Sequence, residues 1–98
     1  MSKTYTIDGD KFTNIEGFYG EIDFVLLTEN WGRNLDAFDD VLRGGFGTPG
    51  DGFTLIWKNS AKSRLRLGQN TFLTLVEIIK THGKNGREPD DNVLLILD

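Results

Sequence analysis

Two short runs constrain this chain most: FTLIWK at 53–58 and VLLIL at 93–97, both apolar at nearly every position. They read as strands, and the continuous apolar middle of the first predicts burial on both faces, as in a parallel sheet covered by helices. KTYTID at 3–8 alternates, carries β-branched and aromatic residues, and ends at the turn pair Asp8-Gly9, so it reads as a further strand. Helical spacing fills the intervals. Asn14 can cap a helix bearing Ile15, Phe18 and Ile22, but Gly17 and Gly20 weaken it by about 1 kcal/mol each, so it is expected to be short. SAKSRLRL suits a short helix ending at Gly68. From Asn70 to His82 a longer helix aligns Phe72, Leu75, Val76 and Ile79 on one face, with Gly83 as its stop. Strands separated by helices indicate an α/β fold with a small three-stranded parallel sheet packed with helices. At 98 residues, with no repeat or linker, a single domain spanning 1–98 is expected.

Composition narrows the functions available. There is no cysteine, which removes disulfides and thiolate metal sites and fits a reducing compartment. The N-terminal MSKTYTIDGDKF is polar and charged, unlike a signal peptide, and VLLIL is too short to cross a bilayer. A soluble, cytoplasmic protein is the expectation. Residues 1–56 hold ten acids and four bases, a net −6, whereas residues 57–98 hold five acids and seven bases, a net +2. A polyanion binder needs a basic stripe, so direct nucleic-acid binding is not expected and a basic protein partner is.

The acidic half contains NWGRNLDAFDDVLRGGFG at 30–47. At 100° per residue, Leu35, Phe38, Val41 and Leu42 share one arc, and Asp36, Asp39 and Asp40 the opposite one. Asn34 suits the N-cap, and Asp36 falls in the first turn, where the helix dipole favours a carboxylate. GGFGTPGDG at 44–52 is glycine-rich and reads as a loop.

Catalytic patterns fail in turn. The three serines, Ser2, Ser60 and Ser63, sit in no nucleophile-elbow pattern. The single histidine, His82, ends a helix, which suggests a surface position favoured by the dipole. Asp8 and Asp10 open like a calcium loop, but Phe12 occupies the third ligand position. Asp90 and Asp91 flank Pro89 as turn residues, and no phosphate-binding glycine pattern precedes a helix. No metal, cofactor or catalytic residue is expected. Three aspartates on one exposed face would be well solvated, without the apolar pocket that raises a carboxyl pKa. Their mutual repulsion at three- and four-residue spacing nevertheless needs an offset, and aromatics and glycines flank them as at an interface hot spot.

Trp31-Gly32, Asn34-Leu35-Asp36-Ala37-Phe38, Asp40 and Gly44 together resemble the signature of the barstar family, intracellular inhibitors of secreted ribonucleases. TYTIDGDKF, TLIWKNSAKSR and NVLLILD resemble other segments of that family, so the likeness covers essentially the whole chain. The resemblance implies a barstar-like fold. It also implies an immunity protein, monomeric when free, that binds a basic ribonuclease toxin one to one. An acidic helix would mimic RNA phosphates and plug the enzyme's site. Asp40 matches the family's principal acid and Asp36 a second, while Gly32, Asn34 and Gly44 match partner-facing loop positions. The candidate partner-binding residues are thus Asn30, Trp31, Gly32, Asn34, Asp36, Asp39, Asp40, Arg43, Gly44 and Glu77.

Three positions depart from the family prototype. Asn30 replaces an aromatic, Asp39 replaces a tryptophan, and Ile78 stands where the prototype has a glutamate, with Glu77 adjacent. The loop at 44–52 is also longer. All of these fall on the partner-facing surface, which implies a different cognate nuclease, such as the toxic domain of a contact-dependent toxin. Two rival expectations remain: a regulatory or scaffolding module of the same fold binding another basic protein, and a carboxylate-based hydrolase.

Overall fold

The computed structural model describes residues 3–26, 32–43, 52–83, 86–88 and 91–98. The sequence expectations for Asn30, Trp31, the loop from Gly44 to Asp51, and the turn residues Pro89 and Asp90 lie outside them. The element order is β1 (Lys3–Asp8), α1 (Ile15–Leu26), α2 (Leu35–Leu42), β2 (Phe53–Lys58), α3 (Ser60–Leu67), α4 (Gln69–Thr81) and β3 (Val93–Leu97). The three strands form a parallel sheet in the order β1-β2-β3. This is the expected α/β architecture, with α4 starting one residue earlier than its spacing suggested. Among the described residues, no helix is long and apolar enough to cross a membrane.

Among the described residues the central strand is fully buried on one face only, contrary to the expectation from its unbroken apolarity. Phe53, Leu55 and Trp57 are fully buried and lie in register with Val93, Leu95 and Leu97 of β3. The opposite face carries the rows Thr4, Thr54, Leu94 and Thr6, Ile56, Ile96 across the sheet, and Leu94 and Ile96 are 57% and 41% exposed. The buried apolar side chains of α1, α2 and α4 all join one cluster with the first row. Among the described residues the opposite face of the sheet is covered less fully, with Thr54 and Ile56 half-buried.

Aromatic rings fill that core. Trp57 packs on Phe18 and Phe72 at centroid distances of 5.1 and 5.0 Å, and Phe18 meets Phe38 edge-on at 5.3 Å. The buried indole N–H of Trp57 donates to Ser63 Oγ at 2.9 Å, which satisfies both polar groups within the core.

α1 runs for 12 residues, longer than its glycines suggested. Asn14 caps it, with Oδ1 accepting from the Gly17 N–H at 2.9 Å, and Phe18, Tyr19, Ile22 and Leu26 anchor it by burial. Gly17 itself serves packing, since a Cβ there would stand 2.7 Å from Phe12 Cβ. Tertiary contact outweighs the propensity penalty.

Candidate acidic interface and its buried histidine

The helix α2 begins as its sequence dictates. Asn34 is extended, and its Oδ1 accepts from the Ala37 N–H at 2.8 Å, satisfying a first-turn donor. Phe38, Val41 and Leu42 are at most 1% exposed and pin the helix to the core. Leu35, expected on the same arc, is 38% exposed, because the first turn overhangs the core edge. On the approach to the helix, Arg33 adopts a left-handed φ of 50° and forms an ion pair with Asp23 of α1.

The three aspartates do not share one solvated face. Asp36 is exposed and has no ion-pair partner among the described residues, and the Asp40 side chain is 57% exposed. Asp39 is 30% exposed and turns toward the C-terminal end of α4. There it meets His82. That histidine is fully buried rather than on the surface, because the chain folds back over the helix end: the Val93 N–H donates to the His82 carbonyl at 2.9 Å as β3 begins.

Both ring nitrogens of His82 face carboxylates. Nε2 lies 2.6 Å from Asp39 Oδ1, and Nδ1 lies 2.6 Å from Asp91 Oδ2. Which nitrogen donates and which accepts on these lines follows the imidazole tautomer. Arg43, at the C-cap of α2, closes the cluster. Its Nη2 is 3.1 Å from Asp39 Oδ2 and its Nη1 is 3.2 Å from Asp40 Oδ1. Its Nε and Nη2 donate to Glu88 Oε2 at 3.0 and 2.7 Å. The Glu88 hydrogen bonds, followed by the Asp39 charge, hold the guanidinium pKa above its already high ordinary value. These contacts supply the expected offset for the repulsion along α2, with each acid placed N-terminal to its arginine partner.

Asp39, His82 and Glu88 bring potential metal-ligand atoms within 4.8 Å of one another. Two ligands at about 2.0–2.1 Å from a shared ion at right angles stand about 2.9 Å apart. The 2.6 Å His82–Asp39 separation is shorter, and the Arg43 guanidinium already bridges Asp39 to Glu88. The spacing is that of direct hydrogen bonds between the side chains.

Of the sequence-derived candidates, Asp36, Asp39 and Arg43 come together, lining a cleft of ≈ 480 Å³ with Leu35, Ile78 and Glu88 between α2 and α4. Gly32, Asn34 and Asp40 lie nearby along the chain and are exposed. Glu77 is not part of this cleft. It lines the groove between α4 and β3, while its neighbour Ile78 lines both. His82, Glu88 and Asp91 were not among the candidates. Their only sequence signal was a lone histidine preceding an acid-containing polar loop, and nothing local ties it to Asp39, 43 residues away.

No curated protein matches the chain. A three-stranded parallel sheet packed with helices, a capped acidic helix pinned by Phe38 and a buried indole on β2 agree with what the sequence motif implied about the fold. The sequence matches the family model described as Barstar (barnase inhibitor) over residues 2–98, and the chain therefore belongs to the barstar family.

Proposed function

We propose that this protein is an immunity protein acting inside the cell, where it binds a basic ribonuclease toxin one to one and covers its active site with α2. One observation carries the reading: the Asp36 and Asp40 carboxylates stand exposed one turn apart on a helix whose other side is locked into the core. Two fixed negative charges at that spacing mimic successive phosphates, and they accept charge-assisted hydrogen bonds from arginine and histidine side chains that normally hold RNA. The surrounding acids of the N-terminal half steer encounter with a basic surface, and the barnase–barstar pair, from this same family, is a known case of such steering. Asn30, Trp31, Gly32, Asn34 and Gly44 would extend the contact along the loops, with Asp39, Arg43 and Glu77 at its margin. Members of this family are inhibitors, so no turnover is assigned to the acids.

The test is direct. RNA cleavage by its cognate ribonuclease, sought by capture from the native cell or as a neighbouring gene, is measured with and without it. Stoichiometric loss of cleavage supports the reading, and unimpaired cleavage overturns it. A second reading, a non-inhibitory module binding another basic protein, draws on the Arg43 bond to Asp40, which offsets part of the acidity of the face. Affinity capture from the native cytoplasm separates the two by the identity of the partner.

A further inference from the structure

We infer that His82 is a positioning residue for the acidic face: through Asp39 and Arg43 it sets where the Asp40 carboxylate stands. The inference rests on the reading of α2 as the partner-facing helix, and it deepens that reading.

The geometry is a relay of fixed contacts. His82 Nε2 holds Asp39 Oδ1 at 2.6 Å, Asp39 Oδ2 holds Arg43 Nη2 at 3.1 Å, and Arg43 Nη1 reaches Asp40 Oδ1 at 3.2 Å. Both oxygens of Asp39 are therefore engaged within the protein. The imidazole cannot drift, since it is fully buried and is held from behind by Asp91 at 2.6 Å. Its backbone is tied at both ends, with the His82 N–H donating to the Ile79 carbonyl at 3.2 Å and the Val93 N–H to the His82 carbonyl at 2.9 Å. Arg43 is anchored a second time through Glu88, whose own N–H donates to the Thr81 carbonyl at 2.9 Å. The cation that touches Asp40 is thus fixed to the end of α4 by two routes that meet at His82, whose Nδ1 lies 3.5 Å from the same Glu88 Oε2 that accepts from Arg43 Nε.

This arrangement divides the labour among the acids of α2. Asp39 is answered by His82 inside the same chain, so its presence marks an internal bond. Asp36 has no ion-pair partner among the described residues and the Asp40 side chain, although it meets Arg43 through Oδ1, is 57% exposed, so these two carboxylates are the groups left to receive a partner's cations. Holding one oxygen of Asp40 through Arg43 limits its rotamers before binding, which lowers the ordering cost at the interface.

The experiment uses the free full-length protein and needs no toxin, so its failure is separable from failure of the inhibitory reading. Solvent exchange of the Arg43 Nε–H is measured by NMR in wild type, His82→Leu and His82→Gln, with the Leu55 amide as a core control. In His82→Leu the Arg43 Nε–H is expected to exchange at least about tenfold faster through local opening, whereas the Leu55 amide, which exchanges only on global opening, follows the change in overall stability. His82→Gln retains one donor and is expected to fall between. An unchanged Arg43 rate in His82→Leu, or equal rates in the two variants, would show that the ring only fills space and would overturn the inference. Should His82→Leu not fold, Asp39→Asn breaks the same relay from the half-exposed side. There too a faster Arg43 rate supports the inference, and an unchanged one overturns it.

Discussion

His82 and Asp39 are 43 residues apart in sequence, yet Nε2 and Oδ1 meet at 2.6 Å at the junction of α2, α4 and the start of β3. The contact closes the acidic helix onto the far end of the chain. Removing the ring leaves Asp39 and Asp91 without their shared hydrogen-bond partner, and His82→Leu is expected to lower stability by about 1–3 kcal/mol in urea unfolding. A midpoint unchanged from wild type would show that water replaces the imidazole without cost.

Asp40 carries the sharpest functional expectation. Asp40→Ala is expected to weaken binding to the cognate ribonuclease by at least about 2 kcal/mol, the scale of an interface hot spot. Its side chain is 57% exposed, so the fold should persist, with circular dichroism and melting unchanged. Calorimetric titration gives the affinity; equal binding by the variant would remove Asp40 as the anchor.

Association should also respond to salt. Steering by exposed carboxylates is screened over about 8 Å at physiological ionic strength, so the association rate should fall as salt rises, with dissociation changing less. Stopped-flow mixing at several salt concentrations would read this, and a flat association rate would count against steering.

Phe38 and Leu35 began as members of one apolar arc but differ in exposure, 0% against 38%. Phe38→Ala is expected to lose about 3–5 kcal/mol of stability through a cavity beside Phe18. Leu35→Ala should lose under about 1 kcal/mol. Chemical unfolding of the two variants compares them, and similar losses would contradict the burial pattern.

Asp8 links stability to pH. Its Oδ1 accepts from Asn59 Nδ2 at 2.8 Å and from the Asp10 N–H at 2.9 Å, and these bonds hold its pKa below the ordinary 3.8. A depressed folded value means the ionised form is favoured by folding. The contribution is complete above the ordinary value and disappears as pH falls through the lowered one. Asp8→Asn should therefore flatten the acid end of the stability profile below about pH 4. A profile parallel to that of wild type down to acid unfolding would show that Asp8 is not linked.

Much of the fold was legible because its signals are local. Strand-length apolar runs, the cap at Asn34 and the helical spacing of Phe72, Leu75, Val76 and Ile79 each act within a few residues, where backbone geometry alone dictates the pattern. The acidic helix and its family motif were readable for the same reason. What only the tertiary structure decided is which groups meet across the chain. Unbroken apolarity in β2 could not show that a single core covers one sheet face and leaves Ile56 and Ile96 beside solvent. Helical spacing placed Leu35 with the core, but the edge of the core stops short of it. The same limit governs the site: a histidine at a helix end suits solvent by local rules, and it becomes a buried hydrogen-bond partner of Asp39 and Asp91 because β3 folds back across it. Local geometry sets the period of a helix, whereas partners tens of residues away set the environment of a charge.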